Sequence, residues 1–172
     1  MYLKKNKLTM MATIAVCALA FITSGNVTVL AQTKEENAVI AVLRQNATAF
    51  AKNDMVTMNN IWVTNESLTI FESGHANYGW KDYRENHLGP ELKEFKNTKY
   101  AFSDLKVKVD GKTAWATFKY TISAEMKERK IEGSGLGTAI LEKRGGKWVI
   151  VHWHSSSPPR RPSPTLTPVP KP

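Results

Sequence analysis

Two histidines, His152 and His154, stand two residues apart in the chain's last β-prone run, Trp148 to Trp153. Side chains at i and i+2 leave a strand on one face, so the spacing predicts both imidazoles looking one way and Val149, Val151 and Trp153 looking the other. Imidazole changes charge near neutral pH, which suits it to proton transfer, to metal ligation or to hydrogen bonding inside a site. Two histidines make half of a zinc site, and Glu72, His75 or His87 would have to complete it. The spacing alone does not bring those residues together, so no metal or other cofactor is assigned. Hydrogen-bonded structural histidines on a pocket or sheet face are the alternative.

The elements that must position these groups are legible as helices first and strands after. From Lys34 to Asn53, Val39, Val42, Leu43, Ala47 and Phe50 recur every three to four residues, which predicts one apolar helix face. Asp54 can cap a second, short helix through Ile61 and Trp62. Leu68 to Glu72 reads as a strand, and Trp80 to Leu88 as a third helix closed by Gly89-Pro90. A meander follows: Lys99 to Val109, a turn at Asp110-Gly111, Thr113 to Met126, Lys130 to Lys143, and Lys147 to Ser155. Arg144-Gly145-Gly146 can supply the positive φ angles of the last tight turn. Helices segregated to one side of an antiparallel sheet define an α+β class.

The two ends of the 172-residue chain differ from this middle. Lys4, Lys5 and Lys7 precede an apolar run from Leu8 to Ile22 that is short for a membrane span, and Val29-Leu30-Ala31 offers small residues for cleavage. Residues 1–31 therefore read as a signal peptide, with Gln32 starting an exported, periplasmic or extracellular, mature chain that has no stable membrane insertion. Cys17, the sole cysteine, lies in that run, so the mature chain has no thiol or disulfide. Seven of the eight prolines fall in residues 158–172, which predicts an extended tail because proline lacks an amide donor. The formal charge is +9; it drops to +6 without the three signal lysines and to +3 without Arg160, Arg161 and Lys171. A mild excess on residues 32–157, with no basic stripe among aromatics, argues against nucleic-acid binding.

Several short motifs together carry a family resemblance. Gly137-Thr138 entering a strand, Gly146-Lys147-Trp148, and Val151-His152-Trp153-His154 followed by serines close the domain. Phe71-Glu72-Ser73-Gly74 and Tyr78-Gly79-Trp80-Lys81-Asp82-Tyr83-Arg84 precede them. In this order the motifs resemble the SnoaL-like branch of the nuclear transport factor 2-like superfamily, and the last strand is similar to the end of the calcium/calmodulin-dependent kinase II association domain. The resemblance implies a conical half-barrel: three N-terminal helices on a strongly curved antiparallel sheet, with Gly133, Gly135 and Gly137 placed to let long strands bend. Such a cone has an apolar floor and a polar rim, and is a ligand site by default.

The resemblance also assigns roles. The superfamily's steroid isomerases place an acid at the end of the first strand, matched here by Glu72, and burial would raise its pKa toward general acid–base use. Their first-helix tyrosine falls at Asn46, so that catalytic set is incomplete. The association domain's pocket arginines fall at Ala139 and Ser155, which does not support an anionic-ligand site. The expectation is an exported, non-catalytic module binding a small, largely apolar molecule. Trp62, Phe71, Tyr78, Trp80, Tyr83, Tyr100 and Trp115 would form its walls, with Glu72, His75, His152 and His154 as orienting groups. A proton-transferring isomerase or hydratase using Glu72 and a histidine such as His154 is the alternative, and an oligomeric assembly domain a third reading. A homodimer through the outer sheet face is the expected assembly.

Overall fold

Thr33 starts the first helix with a capping box: its hydroxyl accepts from the Glu36 N–H while the Glu36 carboxylate accepts from the Thr33 N–H. In the computed structural model, which describes residues 32–127 and 129–158, this α1 runs Lys34–Ala51. The expected signal peptide, Cys17 and nearly all of the proline-rich tail lie outside the described residues. Asp54 caps α2, Met55–Ile61, by accepting from the Thr57 N–H.

A third helical rod does not stop where Gly89-Pro90 suggested. It comprises α3, Trp80–Tyr83, a π-helical turn at Arg84–Leu88, and α4, Gly89–Glu94. Pro90 has no N–H to give an α-helical ladder and would crowd the preceding turn. The wider π turn, closed by the Gly89 N–H on the Arg84 carbonyl, absorbs it. A Cβ on Gly89 would stand 2.5 Å from that same carbonyl oxygen, so glycine is what fits there. The rod thus carries residues 89–94 past the expected end.

Six strands follow the order β2-β1-β6-β5-β4-β3: β1 Thr69–Glu72, β2 His75–Tyr78, β3 Phe95–Asp110, β4 Thr113–Met126, β5 Arg129–Arg144 and β6 Lys147–Ser156. The expected lone first strand is half of a hairpin, turned at Ser73-Gly74. The sheet is mixed rather than wholly antiparallel, because β1 pairs parallel to β6 while its other pairings are antiparallel. Its edges β2 and β3 do not meet, so it is an open sheet. It curls around α1, which packs on both β3 and β6.

Curvature comes from bulges on the strands flanking the central pair. The β4–β5 register runs without a break through Gly133, Gly135 and Gly137, whereas β3 shifts register between Lys96 and Lys99 and between Ser103 and Lys106. Asn97 and Asp104 sit in those bulges at φ +52° and +50°, a conformation these two residue types tolerate. Gly137 serves another purpose: the Phe118 ring lies where its Cβ would be. The core beneath is apolar and continuous, including Leu43, Ile70, Phe118, Leu141, Ile150 and Trp153.

A bulge also decides which way the last strand faces. Leu141 pairs with Ile150 and Ile140 with His152, leaving Val151 as the extra residue. Strict alternation would put Trp148 and Ile150 with the histidines. The bulge instead puts them with Trp153 and Ser155 on the buried face, all four being less than a tenth exposed.

Candidate active site

The concave face of the sheet and the helices enclose a cavity of about 420 Å³. Phe50, Met58, Tyr100, Ile122 and Trp153 supply its apolar surface, and Glu72, His75, His87, Glu91 and Ser155 its polar one. Glu72 arrives from the end of β1, where its register partner is Ser155 of β6, a position on the same inner face as Trp153. Tyr83, His87 and Glu91 arrive from the helical rod, spaced by four residues each and therefore close in angle around its axis.

Glu72 is the central titratable group. Its side chain keeps 21% exposure and lines the cavity. Burial among the surrounding aromatic side chains pushes its carboxyl up to about 7; the charge of His87 and hydroxyls of Tyr83 and Ser155 offset part of the rise, and Glu91 adds to it. His87 Nε2 lies 3.7 Å from Glu72 Oε2 and 3.5 Å from Glu91 Oε1. The bond to Glu91, and then the charge of Glu72, raise His87 above its ordinary value although burial opposes them. Burial and the Glu72 charge likewise push the phenols of Tyr83 and Tyr100 up, so both are neutral donors in the neutral pH range. A carboxyl raised to about 7 beside an imidazole raised above its ordinary value, both facing one cavity, is an arrangement suited to proton exchange.

Asn46 is the third polar element. The Trp62 indole N–H, which can only donate, bonds to Asn46 Oδ1 at 2.8 Å. The amide NH2 is then the end left free to donate beside the cavity that Asn46 lines. A hydrogen-bond donor is therefore present at the position where the resemblance led one to expect a tyrosine.

The sequence-selected residues divide between three places. Glu72, His75, Tyr83 and Tyr100 line the cavity. Trp62 and Trp80 stack in the core with ring centroids 5.9 Å apart, their N–H groups satisfied by Asn46 and Asn59. Phe71, Tyr78 and Trp115 are exposed, and His152 and His154 alternate with the inward Trp153 and so face the sheet's outer side. There His152 Nδ1 lies 2.7 Å from Thr69 Oγ1 and its ring meets Phe71 edge-on, while His154 is solvent-exposed. Burial and the neighbouring His154 lower His152, so it is neutral at physiological pH.

The histidine facing the carboxylate is His87, which spacing alone did not single out as catalytic. A signal existed in Tyr83, His87 and Glu91 at four-residue intervals: the first two share the expected helix, and Glu91 was hidden because Gly89-Pro90 reads as a helix stop. Among the described residues, no group of three histidine, cysteine, aspartate or glutamate side chains is arranged to hold a metal ion.

Comparison with known proteins agrees with this geometry at the level of fold. The sequence model of the SnoaL-like domain matches residues 39–160. No curated protein matches the chain. Among solved structures, a nuclear transport factor 2-like superfamily protein from Salmonella enterica superposes with a TM-score of 0.68 at 17% identity, covering 75% of this chain and 94% of that one. A candidate dehydratase of the same family from Streptomyces avermitilis gives 0.65 at 15% identity, covering 72% and 95%. A candidate calcium/calmodulin-dependent kinase II association domain from Xanthomonas campestris gives 0.61 at 22% identity, covering 72% and 87%. At these identities the likeness establishes a nuclear transport factor 2-like fold and leaves the chemistry to the site itself.

Proposed function

The chain belongs to the SnoaL-like domain family, and from that premise we propose that its cavity binds a small molecule and moves a proton on it, with Glu72 as the acid–base group and His87 as its partner. One observation carries this: Glu72 and His87 meet at 3.7 Å inside one cavity, with Glu72 raised to about 7. The sequence alone favours binding without catalysis, because Asn46 stands where the isomerase tyrosine is expected, and its histidine candidate, His154, lies on the outer side of the sheet. His87 is the histidine that meets Glu72 in the cavity. Asn46 supplies a donor for an oxygen of the bound molecule.

The same lining sets the ligand class. Among the described residues, two carboxylates and two histidines border the cavity, and no lysine or arginine does. The His87 imidazolium is already engaged by Glu72 and Glu91, so an anionic ligand would meet like charge with no further cation to offset it, which favours an uncharged or cationic ligand. It is also less apolar than the aromatic content of the sequence suggests, because five of the seven expected aromatic walls lie elsewhere, Trp62 and Trp80 in the core and Phe71, Tyr78 and Trp115 on the outer face. Phe71, Tyr78, Trp115 and Leu136 on the outer face support pairing with a second copy of the chain. The lysines, apolar run and Val29-Leu30-Ala31 site support export.

Solvent deuterium uptake tests the chemistry. Small uncharged carbonyl compounds with acidic α-hydrogens are incubated with the protein in deuterated buffer and followed by proton NMR. Wild-type protein should accelerate exchange for compounds that fit, and Glu72→Gln should lose about a hundredfold or more of that acceleration. Equal rates for wild type and Glu72→Gln would refute the role of Glu72.

A further inference from the structure

The hydrogen-bond chain behind His87 has a fixed polarity. Asp82 Oδ2 accepts from Asn77 Nδ2 at 2.9 Å and from the Tyr78 N–H at 3.2 Å, and Asp82 Oδ1 accepts from Asn86 Nδ2 at 2.8 Å. These same bonds hold Asp82 below the usual carboxylate range, so it is ionised and can only accept. Asn77 must therefore turn its NH2 toward Asp82. Its Oδ1 is left facing His87 Nδ1, 2.9 Å away. A carbonyl oxygen cannot donate, so the proton in that contact sits on Nδ1.

We propose that Asp82 and Asn77 are positioning residues that hold neutral His87 as its Nδ1–H tautomer, with Nε2 presented to Glu72 and Glu91. Nδ1 is then committed to the scaffold, and Nε2 is the one ring atom through which His87 exchanges a proton with the cavity. Both Nε2 contacts are carboxylates, which only accept when ionised. A proton must therefore lie on Nε2 or on a facing carboxyl for either contact to be attractive. The Nδ1–H form is the reverse of the Nε2–H form that a free histidine side chain in water favours, so the hydrogen-bond chain has a measurable task.

The segment between β2 and the π turn supplies every part of this device. Asn77 lies at the end of a strand of the β1–β2 hairpin, Asp82 and Asn86 lie on the rod, and His87 lies within its π turn. His75 and Tyr83 also face the ring, with centroids 6.2 and 5.4 Å from it, and contact it edge-on without bonding Nδ1.

This inference gives direction to the acid–base pair proposed above and in that sense rests on it, yet it is read on ligand-free protein. Its failure is therefore distinguishable from loss of proton-transfer activity. Histidine-labelled protein is examined by long-range nitrogen–proton correlation NMR at a pH above the titration of His87. Wild type should show a pyrrole-type nitrogen at Nδ1 and a pyridine-type nitrogen at Nε2. Asn77→Leu removes the acceptor and Asp82→Asn lets the Asn77 amide turn over; both should move His87 largely to Nε2–H. Asn77→Asp keeps an acceptor and should preserve Nδ1–H. Circular dichroism monitors folding of each variant. A wild-type His87 that is mainly Nε2–H overturns the proposal whatever the variants do, as does Nδ1–H persisting in folded Asn77→Leu and Asp82→Asn.

Discussion

Glu72→Gln should stabilise the protein, and only above acidic pH. The ordinary glutamate value of 4.5 describes the unfolded chain, and in the fold the group titrates near 7. Between those values the native state binds more protons than the unfolded state, so stability falls as pH rises through this window. Below 4.5 the carboxyl is neutral in both states and contributes no such penalty. Above 7 the full penalty is present, and each pH unit between the two values is worth about 1.4 kcal/mol, giving about 3 kcal/mol in total. Because 21% of the side chain remains exposed, solvent screening reduces this modestly. Glutamine has the shape of the neutral acid and carries no charge to desolvate. Urea denaturation of wild type and variant at pH 4.5 and pH 8 measures the gap. It should be near zero at the lower pH and reach about 3 kcal/mol in favour of Glu72→Gln at the higher, against a typical domain stability of about 5–15 kcal/mol. A variant no more stable than wild type at pH 8, or a gap that ignores pH, would refute the claim that Glu72 is a buried, raised carboxyl.

Other expectations concern the last strand and the two ends. Trp148 is buried and donates its N–H to Glu35 at 2.8 Å, so Trp148→Ala should cost about 3–5 kcal/mol and yield little soluble protein. His154→Ala, on the exposed outer side, should change the monomer's stability by less than about 0.5 kcal/mol and leave cavity binding unchanged; impaired binding would return this histidine to the site. Ser157 touches the fold, its hydroxyl 3.0 Å from that of Tyr120, so a tail deletion should begin at residue 159. That deletion should leave the urea midpoint unchanged, and a loss beyond about 1 kcal/mol would show that the tail docks. N-terminal sequencing of the exported protein should begin at Gln32, and finding Met1 or Tyr2 there would sink the signal-peptide reading.

What the sequence made legible was the part governed by periodicity and turn chemistry. Val39, Leu43 and Ala47 announced the buried face of α1, and Gly145-Gly146 the final hairpin, where both glycines take positive φ. Glu72 was found through motif order, and it lines the cavity. What was not legible depended on single-residue departures from regular geometry. One extra residue at Val151 reverses the relation between Trp148 and His152, so the histidine pair reads as a site from i, i+2 spacing but lies outside it. One wide turn at Arg84–Leu88 lets Gly89-Pro90 sit inside a helix, so Glu91 escaped notice as a continuation of the Tyr83 and His87 face. The parallel pairing of β1 with β6 joins residues some eighty positions apart, beyond the reach of any local pattern.

Carbon-detected NMR titration of the Glu72 side-chain carboxyl, assigned by its loss in Glu72→Gln, tests the central claim most directly. An acid–base pair in the cavity predicts a Glu72 transition near 7 that moves when His87 is replaced by asparagine, since the imidazolium is the leading opposing influence on it. A transition at the ordinary glutamate value of 4.5, unchanged in His87→Asn, would contradict the account.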